Sequence, residues 1–439
     1  MFRTVIDAFK IKEIRKKLIF TILVIVVVRI GSQLPLPGTD PDVVDEVLGS
    51  LSSGSFGFFN ALTGSSFSSM SIFALNITVY ITASIIMQLL TIAFPRLEEM
   101  QKEGESGREK IQKATRYLTL GLAVLEGTAM SIGFGSQGIF GSVSGGAYVW
   151  TIISSIFTLT AGAMLVMWFG EQITEHGVGN GISIILLTNI LSTMPSDFAT
   201  LYEQFVAGAS SKGMAALAAL IIIALVIGIV VFIVYLNGGE RRITVQYSRK
   251  MVAGGRSYGG NTSYIPLKVN TSGVIPIIFA ASIFQFPVII AEFCGASDAE
   301  WTKYFTTSYW CSTTTPRYTV GLIVYVLLII FFAYFYTQIT FNPRQVADNI
   351  KKQGGFVPGI RPGKATEDYF SAVLKYLVFI GAVGLIIVAV IPILVSGLFS
   401  ASLSFAGTSL IIVVSVILET ATQIESMMLV RNYSGFLAK

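Results

Sequence analysis

Long apolar runs, separated by charged or Gly/Pro-rich segments, dominate the chain. Leu18 to Val28 and Leu217 to Leu236 are almost unbroken runs of this kind, whereas a transmembrane β-strand alternates apolar and polar residues. A helix that crosses a bilayer needs about 20 apolar residues. The pattern predicts an all-α integral membrane protein with ten transmembrane helices, at 18–36, 70–94, 116–134, 149–169, 180–194, 214–236, 272–293, 318–341, 373–396 and 406–424.

The distribution of Lys and Arg predicts the orientation of these spans. With the N-terminus placed inside, 26 of the 30 basic residues fall on the inner side, and Arg29 lies within the first span. Only Lys212, Lys303 and Arg317 fall outside. Cytoplasmic loops carry the excess of basic residues in membrane proteins. We therefore expect ten spans with both termini in the cytoplasm, the last residues, 425–439, forming a cytoplasmic tail.

Composition excludes the soluble classes of protein. Of the 439 residues, 53% are apolar and 13% are charged, whereas soluble globular chains carry about 25% charged residues. The two cysteines, Cys294 and Cys311, are too few for a disulfide scaffold. Both fall in the external segment between spans seven and eight, where they either form a bridge or remain free thiols.

The amino-terminal residues 1–17 form a separate element in this reading. Phe2, Val5, Ile6 and Phe9 recur at helical spacing opposite a set of basic residues. This pattern is typical of an amphipathic helix that lies on the inner surface of the membrane. The alternative is a frayed basic tail.

The segment between Gly49 and Ser71 is too short and broken to span the membrane, with 13 Gly or Ser in 23 residues. It is also too apolar for a solvated loop, since Phe56, Phe58 and Phe67 lie within it. Irregular backbone at membrane depth persists only where protein or a water-filled cavity surrounds it. We therefore predict a half-helix folded back into the protein, with a loose external loop as the alternative.

Two long loops on the inner side, 238–268 and 342–366, are rich in basic residues. The stretch from Arg241 to Tyr247 has the alternation of a β-strand, and two Pro-Gly turns flank Arg361. One interpretation is a solvated basic face that only sets the topology. The other is a docking surface for an acidic partner or for the phosphates of ribosomal RNA.

The sequence offers little for catalysis or cofactor binding. His176 is the one histidine, which excludes a metal site of several histidines. The segment 359–365 is not a phosphate-binding loop, because its glycines are too close together and Ala365 stands where Ser or Thr would bind magnesium. We expect neither an enzyme nor a cofactor.

Ionisable residues within the predicted spans are scarce. Arg29 lies near an outer end, where its long side chain can reach the membrane surface. Glu126 is the one candidate for an internal polar role. A secondary transporter of small solutes would place several such groups near the middle of the membrane. This alternative function is weakened but stays open.

Several strings of residues resemble the SecY family, the central subunit of the protein-conducting translocon. They occur in the family's order along the whole chain. The strings are RIG at 29–31 with PLPG at 35–38, KEGESGR at 102–108, GEQIT at 170–174 with GNGIS at 179–183, PLKVN at 266–270 with GVIP at 273–276, and FNPR at 341–344 with FVPGIRPG at 356–363.

The resemblance implies two halves of five helices each, 18–195 and 196–424, related by an inverted pseudo-repeat around a central pore. A re-entrant plug would lie at about 56–70 and would include Asn60, Leu62 and Phe67. The narrowest part of the pore would be a ring of aliphatic side chains, from Ile77, Ile81, Ile182, Leu186, Ile278 and Ile412.

The resemblance also implies a lateral gate through which apolar segments leave the pore for the lipid. Its polar cluster corresponds here to Thr82, Glu126 and Asn270. Glu126 departs from the family, in which glutamine is commoner. Residues 76–79 depart as well, because the family often has Gly and Pro there.

As a member of this family, the protein would be a multi-pass channel of the bacterial plasma membrane for unfolded secretory polypeptides. Expected partners are the small membrane subunits SecE and SecG, the SecA motor ATPase, the ribosome, signal peptides, nascent chains and the lipid bilayer. The energy for transport would come from the motor or the ribosome. These would dock on the two basic loops, through Arg241, Arg242, Arg249, Lys250, Arg256, Arg344 and Arg361.

Overall fold

The computed structural model describes residues 8–52, 57–141, 145–207, 212–247, 262–293, 299–311, 315–399 and 407–437, most of which are helical. The helices α1 to α14 are Lys12–Gly31, Pro41–Ser52, Gly57–Thr63, Thr78–Ala93, Pro95–Lys102, Glu105–Gly135, Gly146–His176, Gly181–Leu201, Lys212–Gly238, Ile275–Phe293, Val320–Thr340, Pro343–Lys352, Lys364–Phe399 and Gly407–Leu437.

Each of the ten predicted spans overlaps one of these helices. Among the described residues, seven helices are long and apolar enough to cross a membrane, and the bent pair α4 and α5 makes eight. The other two predicted spans hold α1, which has charged residues at both ends, and α10, whose apolar part Ile275–Val288 is shorter. The chain is a multi-pass membrane protein.

The helix of the first span begins before residue 17, the predicted end of the amino-terminal element, of which residues 1–7 lie outside the described part of the chain. Helix α1 begins at Lys12 and continues without a break to Gly31. Lysine and arginine are good helix formers whose long side chains extend away from the backbone, so the helix runs through the basic stretch. Ala8 and Ile14 pack against Val178 and Ile424, so this end of the chain lies against protein. Helix α14 likewise continues beyond the predicted limit at 424.

The second span starts later than the predicted residue 70, because the chain before Thr78 is not helical. Ser65, Met70 and Asn76 adopt left-handed backbone conformations, which interrupt a right-handed helix. A bridge between Pro35 and Ser71 ties this stretch to the end of the first span. At its other end α4 turns by 106° into α5, at Pro95.

Two large hydrophobic clusters lie among the membrane-spanning helices. The larger one brings together side chains from both predicted halves, with Ile185 and Ile190 on one side and Phe279 and Ile411 on the other. In the second, the amphipathic helix α2 buries Val44 and Leu48. Helix α6 packs against α10, so the two halves are in contact there.

The two long loops fold onto each other through a small sheet. Strand β1 (Glu240–Tyr247) lies between β2 (Thr262–Lys268) and β3 (Gly355–Phe356), and both pairs are antiparallel. The strand predicted from the alternation after Arg241 is thus confirmed. We call this sheet, together with α12, the turn that contains Arg361 and the start of α13, the β platform. Its core consists of Ile243, Val245, Leu267, Ile350, Val357, Phe370 and Leu377.

Of the two alternatives for the cysteines, the structure has Cys311 as a free thiol. Cys294 lies outside the described residues. Cys311 has a positive φ of 58° in a short segment before α11. Burial raises the pKa of its thiol, which disfavours the reactive thiolate.

Candidate functional site

The six aliphatic residues of the predicted ring lie in or against one hydrophobic cluster. Four are buried within it, namely Ile77, Leu186, Ile278 and Ile412, while Ile81 and Ile182 are partly buried and pack against it. Ile77 and Ile182 both lie beside Gly170, where a Cβ atom would be 3.5 Å and 3.2 Å from their side chains. The structure therefore places all six side chains in or against the same large cluster, and their arrangement as a pore ring stays a prediction.

Helical spacing explains how the ring side chains are presented. Ile182 and Leu186 are four residues apart on α8 and thus share one face. Asn180 caps this helix, because its side-chain oxygen accepts hydrogen bonds from the backbone N–H groups of Ile182 and Ser183. Ile77 directly precedes α4, and Ile81 follows in its first turn.

The short helix α3 corresponds to the predicted half-helix, which is confirmed. Its last residues are buried, and Leu62 belongs to the same cluster as the aliphatic ring. Phe67 packs edge-on against Phe134, with 5.9 Å between ring centroids. The side-chain oxygen of Asn60 accepts a hydrogen bond from the backbone N–H of Ser68. We call residues 57–70 the plug segment.

Three side chains from three different segments donate hydrogen bonds to successive carbonyls at the end of α3. Asn189 donates to the Leu62 oxygen at 3.0 Å, and Asn76 donates to the Thr63 oxygen at 3.2 Å. Arg29 donates to the Gly64 oxygen at 3.2 Å. The side chain of Arg29 is therefore directed at the plug segment, whereas the sequence suggested only the membrane surface.

Sequence reasoning did not identify Asn189 as a site residue. One signal was present, because Ile182, Leu186 and Asn189 follow the spacing of a single helix face. A buried amide at the end of an otherwise aliphatic face is costly unless it finds a partner. That spacing alone did not reveal which backbone would lie opposite.

The predicted polar cluster of the gate is not joined by hydrogen bonds in the described residues. The Thr82 hydroxyl donates to the carbonyl of Thr78 in its own helix. Asn270 instead donates to Asn237 at 2.8 Å, and Asn237 donates to Ser415 at 2.7 Å. The half-buried Glu126 lies on α6, which packs on α10. A role of these three residues in a gate stays a prediction.

A partly buried ion pair, which the sequence did not reveal, holds α6 to α7. One carboxylate oxygen of Glu171 accepts from Arg116 Nε at 2.8 Å and from Gln112 Nε2 at 3.2 Å. Glu171 is 7% exposed. Charge-assisted bonds of this kind fix the relative position of two helices.

The β platform carries exposed basic side chains, among them Arg241, Arg344 and Arg361. Arg242 is paired with the carboxylate of Glu240 and is therefore partly neutralised. The other predicted docking residues, Arg249, Lys250 and Arg256, lie outside the described residues.

The turn that presents Arg361 is well defined. Gly359 and Gly363 have φ angles of 82° and 106°, which favour glycine and fit the predicted Pro-Gly turns. The hydroxyl of the buried Thr366 donates to the carbonyl of Arg361 at 2.9 Å. These features hold the backbone while the arginine side chain remains exposed.

Comparison with known proteins identifies the family. The SecY family model matches residues 71–421, which is most of the chain. The chain belongs to the SecY family. It is 43% identical to the protein translocase subunit SecY of Streptomyces coelicolor, with 98% of each chain covered. It is 40% identical to the subunit of the same name from Halalkalibacterium halodurans, with 100% of each chain covered.

Solved structures agree with SecY family membership at the level of the fold. One is described as the structure of a protein conducting channel and has a TM-score of 0.65 at 18% identity. A second, concerning the plug domain of SecY and the closed state of the channel, has a TM-score of 0.62 at 18% identity. Sec61 from the canine ribosome-channel complex of the endoplasmic reticulum has a TM-score of 0.61 at 17% identity. Each covers 96% of both chains.

Proposed function

We propose that this chain is the central subunit of a protein-conducting channel. It passes unfolded secretory polypeptides across the membrane and releases apolar segments sideways into the lipid. The observation that carries the proposal is that the six side chains proposed as the aliphatic ring lie in or against one hydrophobic cluster, which also contains Leu62. The relatives support it as well, because they are named as protein translocase subunits.

An aliphatic ring suits a pore for polypeptides. It presents no ligand to an ion, and a narrow apolar constriction excludes water and so blocks conduction when closed. Aliphatic side chains deform around a passing chain without selecting for its charge or polarity. A transporter of small solutes would need polar groups at this depth, so the family and the site both favour the channel.

The plug segment would complete the seal on the outer side of the ring. Leu62 packs into the same cluster as the ring, and Phe67 is anchored among the aromatic side chains of the second cluster. A translocating polypeptide would have to displace this segment. The related structure concerning the SecY plug domain supports that role.

The lateral gate would lie where α6 and α10 meet. Thr82, Glu126 and Asn270 are the residues for which we propose a role there. Polar groups along this path would influence how apolar a segment must be before it partitions into lipid.

The β platform would be the docking surface on the cytoplasmic side of a bacterial plasma membrane, with both chain termini on that side. The ribosome is the partner supported by the related complexes with ribosomes. SecA would use the same surface, and SecE and SecG would be the small membrane subunits. Exposed Arg241, Arg344 and Arg361 offer the positive charge that ribosomal RNA or an acidic motor surface would recognise.

Photocrosslinking to a stalled polypeptide tests the channel directly. A crosslinking amino acid is placed at Ile81 or Ile278, within the ring, and at Leu220, on the exposed face of α9, as the control. A stalled secretory chain should crosslink at the two ring positions and not at the control. A solute transporter has no reason to contact such a chain, so equal labelling at all three positions would contradict the proposal.

A further inference from the structure

We propose that Arg29, Asn76 and Asn189 form a latch that holds the plug segment in its closed position. Each of them donates to one carbonyl in the run from Leu62 to Gly64. The inference rests on the proposed function of the chain as a channel that a displaceable segment closes. It assigns gating to three side chains that lie outside the aliphatic ring.

The latch acts on the groups that a helix end leaves unsatisfied. The last carbonyls of an α-helix have no partner within the helix, and buried ones must find donors elsewhere. Helix α3 ends at Thr63 in a buried position. The Thr63 oxygen accepts from the backbone N–H of Ser66 at 3.4 Å, and further donors come from outside the plug segment. The latch residues supply one donor for each of three successive carbonyls.

Asn76 and Asn189 act as one unit. Asn189 also donates to the side-chain oxygen of Asn76 at 3.0 Å, and that oxygen accepts from the backbone N–H of Ile77 at 2.9 Å. Both amides are almost fully buried, at 1% and 0% exposure. The Oδ1 atom of Asn189 has no hydrogen-bond partner in the described part of the chain. A hydrocarbon side chain at position 189 would avoid the cost of burying this unpaired oxygen. The two hydrogen bonds that the Asn189 amide donates therefore explain why an asparagine is present there.

The close fit around Gly64 shows how tightly the plug segment is seated. A Cβ atom at Gly64 would lie 2.5 Å from Arg29 Nη1 and 2.9 Å from the Cα atom of Asn189. The backbone there has a φ of 66°, which glycine adopts without strain. Arg29 and Asn189 therefore pack closely against the plug segment in addition to donating hydrogen bonds to it.

The latch uses bonds that opening can break and closing can remake. When the plug segment leaves, its carbonyls can turn to water or to a passing polypeptide. Arg29, at the outer end of α1, can reach the membrane surface in the same way. The apolar contacts of Leu62 provide no comparable directional restraint, because hydrophobic burial is non-directional.

The test measures ion leakage through resting channels. The full-length chain, in the complex in which it assembles, is reconstituted into phospholipid vesicles without substrate, and the decay of a potassium diffusion potential is recorded. Asn189→Leu removes two bonds at similar volume. Asn76→Gly removes three bonds, namely the one that its amide donates to Thr63 and the two that its oxygen accepts. The φ of 45° at this position suits glycine, so this variant remains informative if the first does not assemble.

We expect each variant to raise the resting leak about tenfold, because each loses one buried hydrogen bond to the plug segment. Transport of an ordinary secretory protein should be retained. The double variant should leak less than the product of the two single effects, because the two amides share a bond. Channels with Arg29→Met should have a raised resting leak. Channels with Arg29→Lys, which keeps a hydrogen-bond donor, should leak less than those with Arg29→Met.

Ser192→Ala is the matched control, since the Ser192 hydroxyl donates only to the Asn189 carbonyl within its own helix. Its leak should equal that of the unaltered chain. A leak that stays at that level in assembled Asn189→Leu and Asn76→Gly channels, while transport proceeds, would overturn the latch alone. A leak accompanied by loss of all transport would point to general damage and also count against the latch. An unaltered chain that transports no polypeptide would overturn the proposed function as well.

Discussion

The plug segment and the β platform differ in how each is fixed to the rest of the protein. The plug segment is held at its helix end by side-chain hydrogen bonds to three carbonyls. The platform is held by a paired sheet over seven buried apolar side chains. A hydrogen bond contributes about 0.5–1.5 kcal/mol net, whereas a buried large apolar side chain contributes about 1.5–3 kcal/mol.

This difference matches the work that each region is proposed to do. A plug has to leave and return, so it needs restraints that are specific in direction and modest in energy. A docking platform has to keep its shape when a large partner binds. The plug segment, which also buries Leu62 and Phe67, thus adds directional polar contacts to its apolar ones, whereas the platform relies on its paired sheet and its apolar core.

Removing a platform core side chain should have the largest effect. Phe370 is fully buried in the β platform, and Phe→Ala changes in cores cost about 3–5 kcal/mol. Phe370→Ala should therefore expose the loops 238–268 and 342–366 to protease at least about tenfold faster. The membrane helices should stay intact.

Phe379→Ala, on the exposed face of the same helix, provides the comparison and should leave cleavage of the loops unchanged. Equal cleavage in both variants would show that the platform does not depend on its own core. The β platform and the plug segment would then not differ in how they are fixed to the protein.

Reversing the charge of Arg361 should have an intermediate effect on transport and none on folding. Its side chain is exposed while Thr366 holds its backbone, so Arg361→Glu alters the charge with little change in the turn. We expect binding of a motor or a ribosome to weaken about tenfold, and less so at high salt. Titration of the partner onto membranes that contain the channel measures this.

The control is Arg108→Glu, the same change at an exposed residue of α6 outside the platform. Similar weakening in both variants would indicate a general effect of net charge. Loss of the assembled channel in Arg361→Glu alone would assign the arginine to folding instead of docking.

The smallest effect is expected at the gate. Glu126→Gln replaces a carboxyl group, which is costly at membrane depth when charged, with a neutral amide. A less polar path should hold apolar segments slightly better. The hydrophobicity needed for release into lipid should then rise by about 0.5–1 kcal/mol. Insertion of a graded series of test segments measures the shift, and an identical threshold in both proteins would refute a gating role.

The sequence predicted those features whose cause is local. The strand that begins near Arg241 follows from alternation, the turns around Arg361 follow from Pro-Gly pairs, and the half-helix near Leu62 follows from its apolar but broken composition. The aliphatic ring was predicted only by resemblance, because an isoleucine in a membrane helix is ordinarily part of the core.

Features that depend on distant segments were not predicted. The latch requires residues 29, 76 and 189 to meet around one helix end, and no local pattern links them. The late start of the second span follows from the left-handed backbone at Asn76, a conformation that few residues other than glycine adopt. The pair of Arg116 and Glu171 likewise joins helices whose contact only the fold reveals.

The location of the latch separates two kinds of opening. All its members, donors and carbonyls alike, lie before residue 195, in the first half of the chain, whereas Leu62 also packs into a cluster that includes Ile278 and Ile412 of the second half. Parting the halves at the gate would break the apolar contacts and leave the latch intact. Release of an apolar segment into the lipid and passage of a polypeptide across the membrane would then have separate energy barriers. A partner or substrate that lowers one barrier would not automatically lower the other.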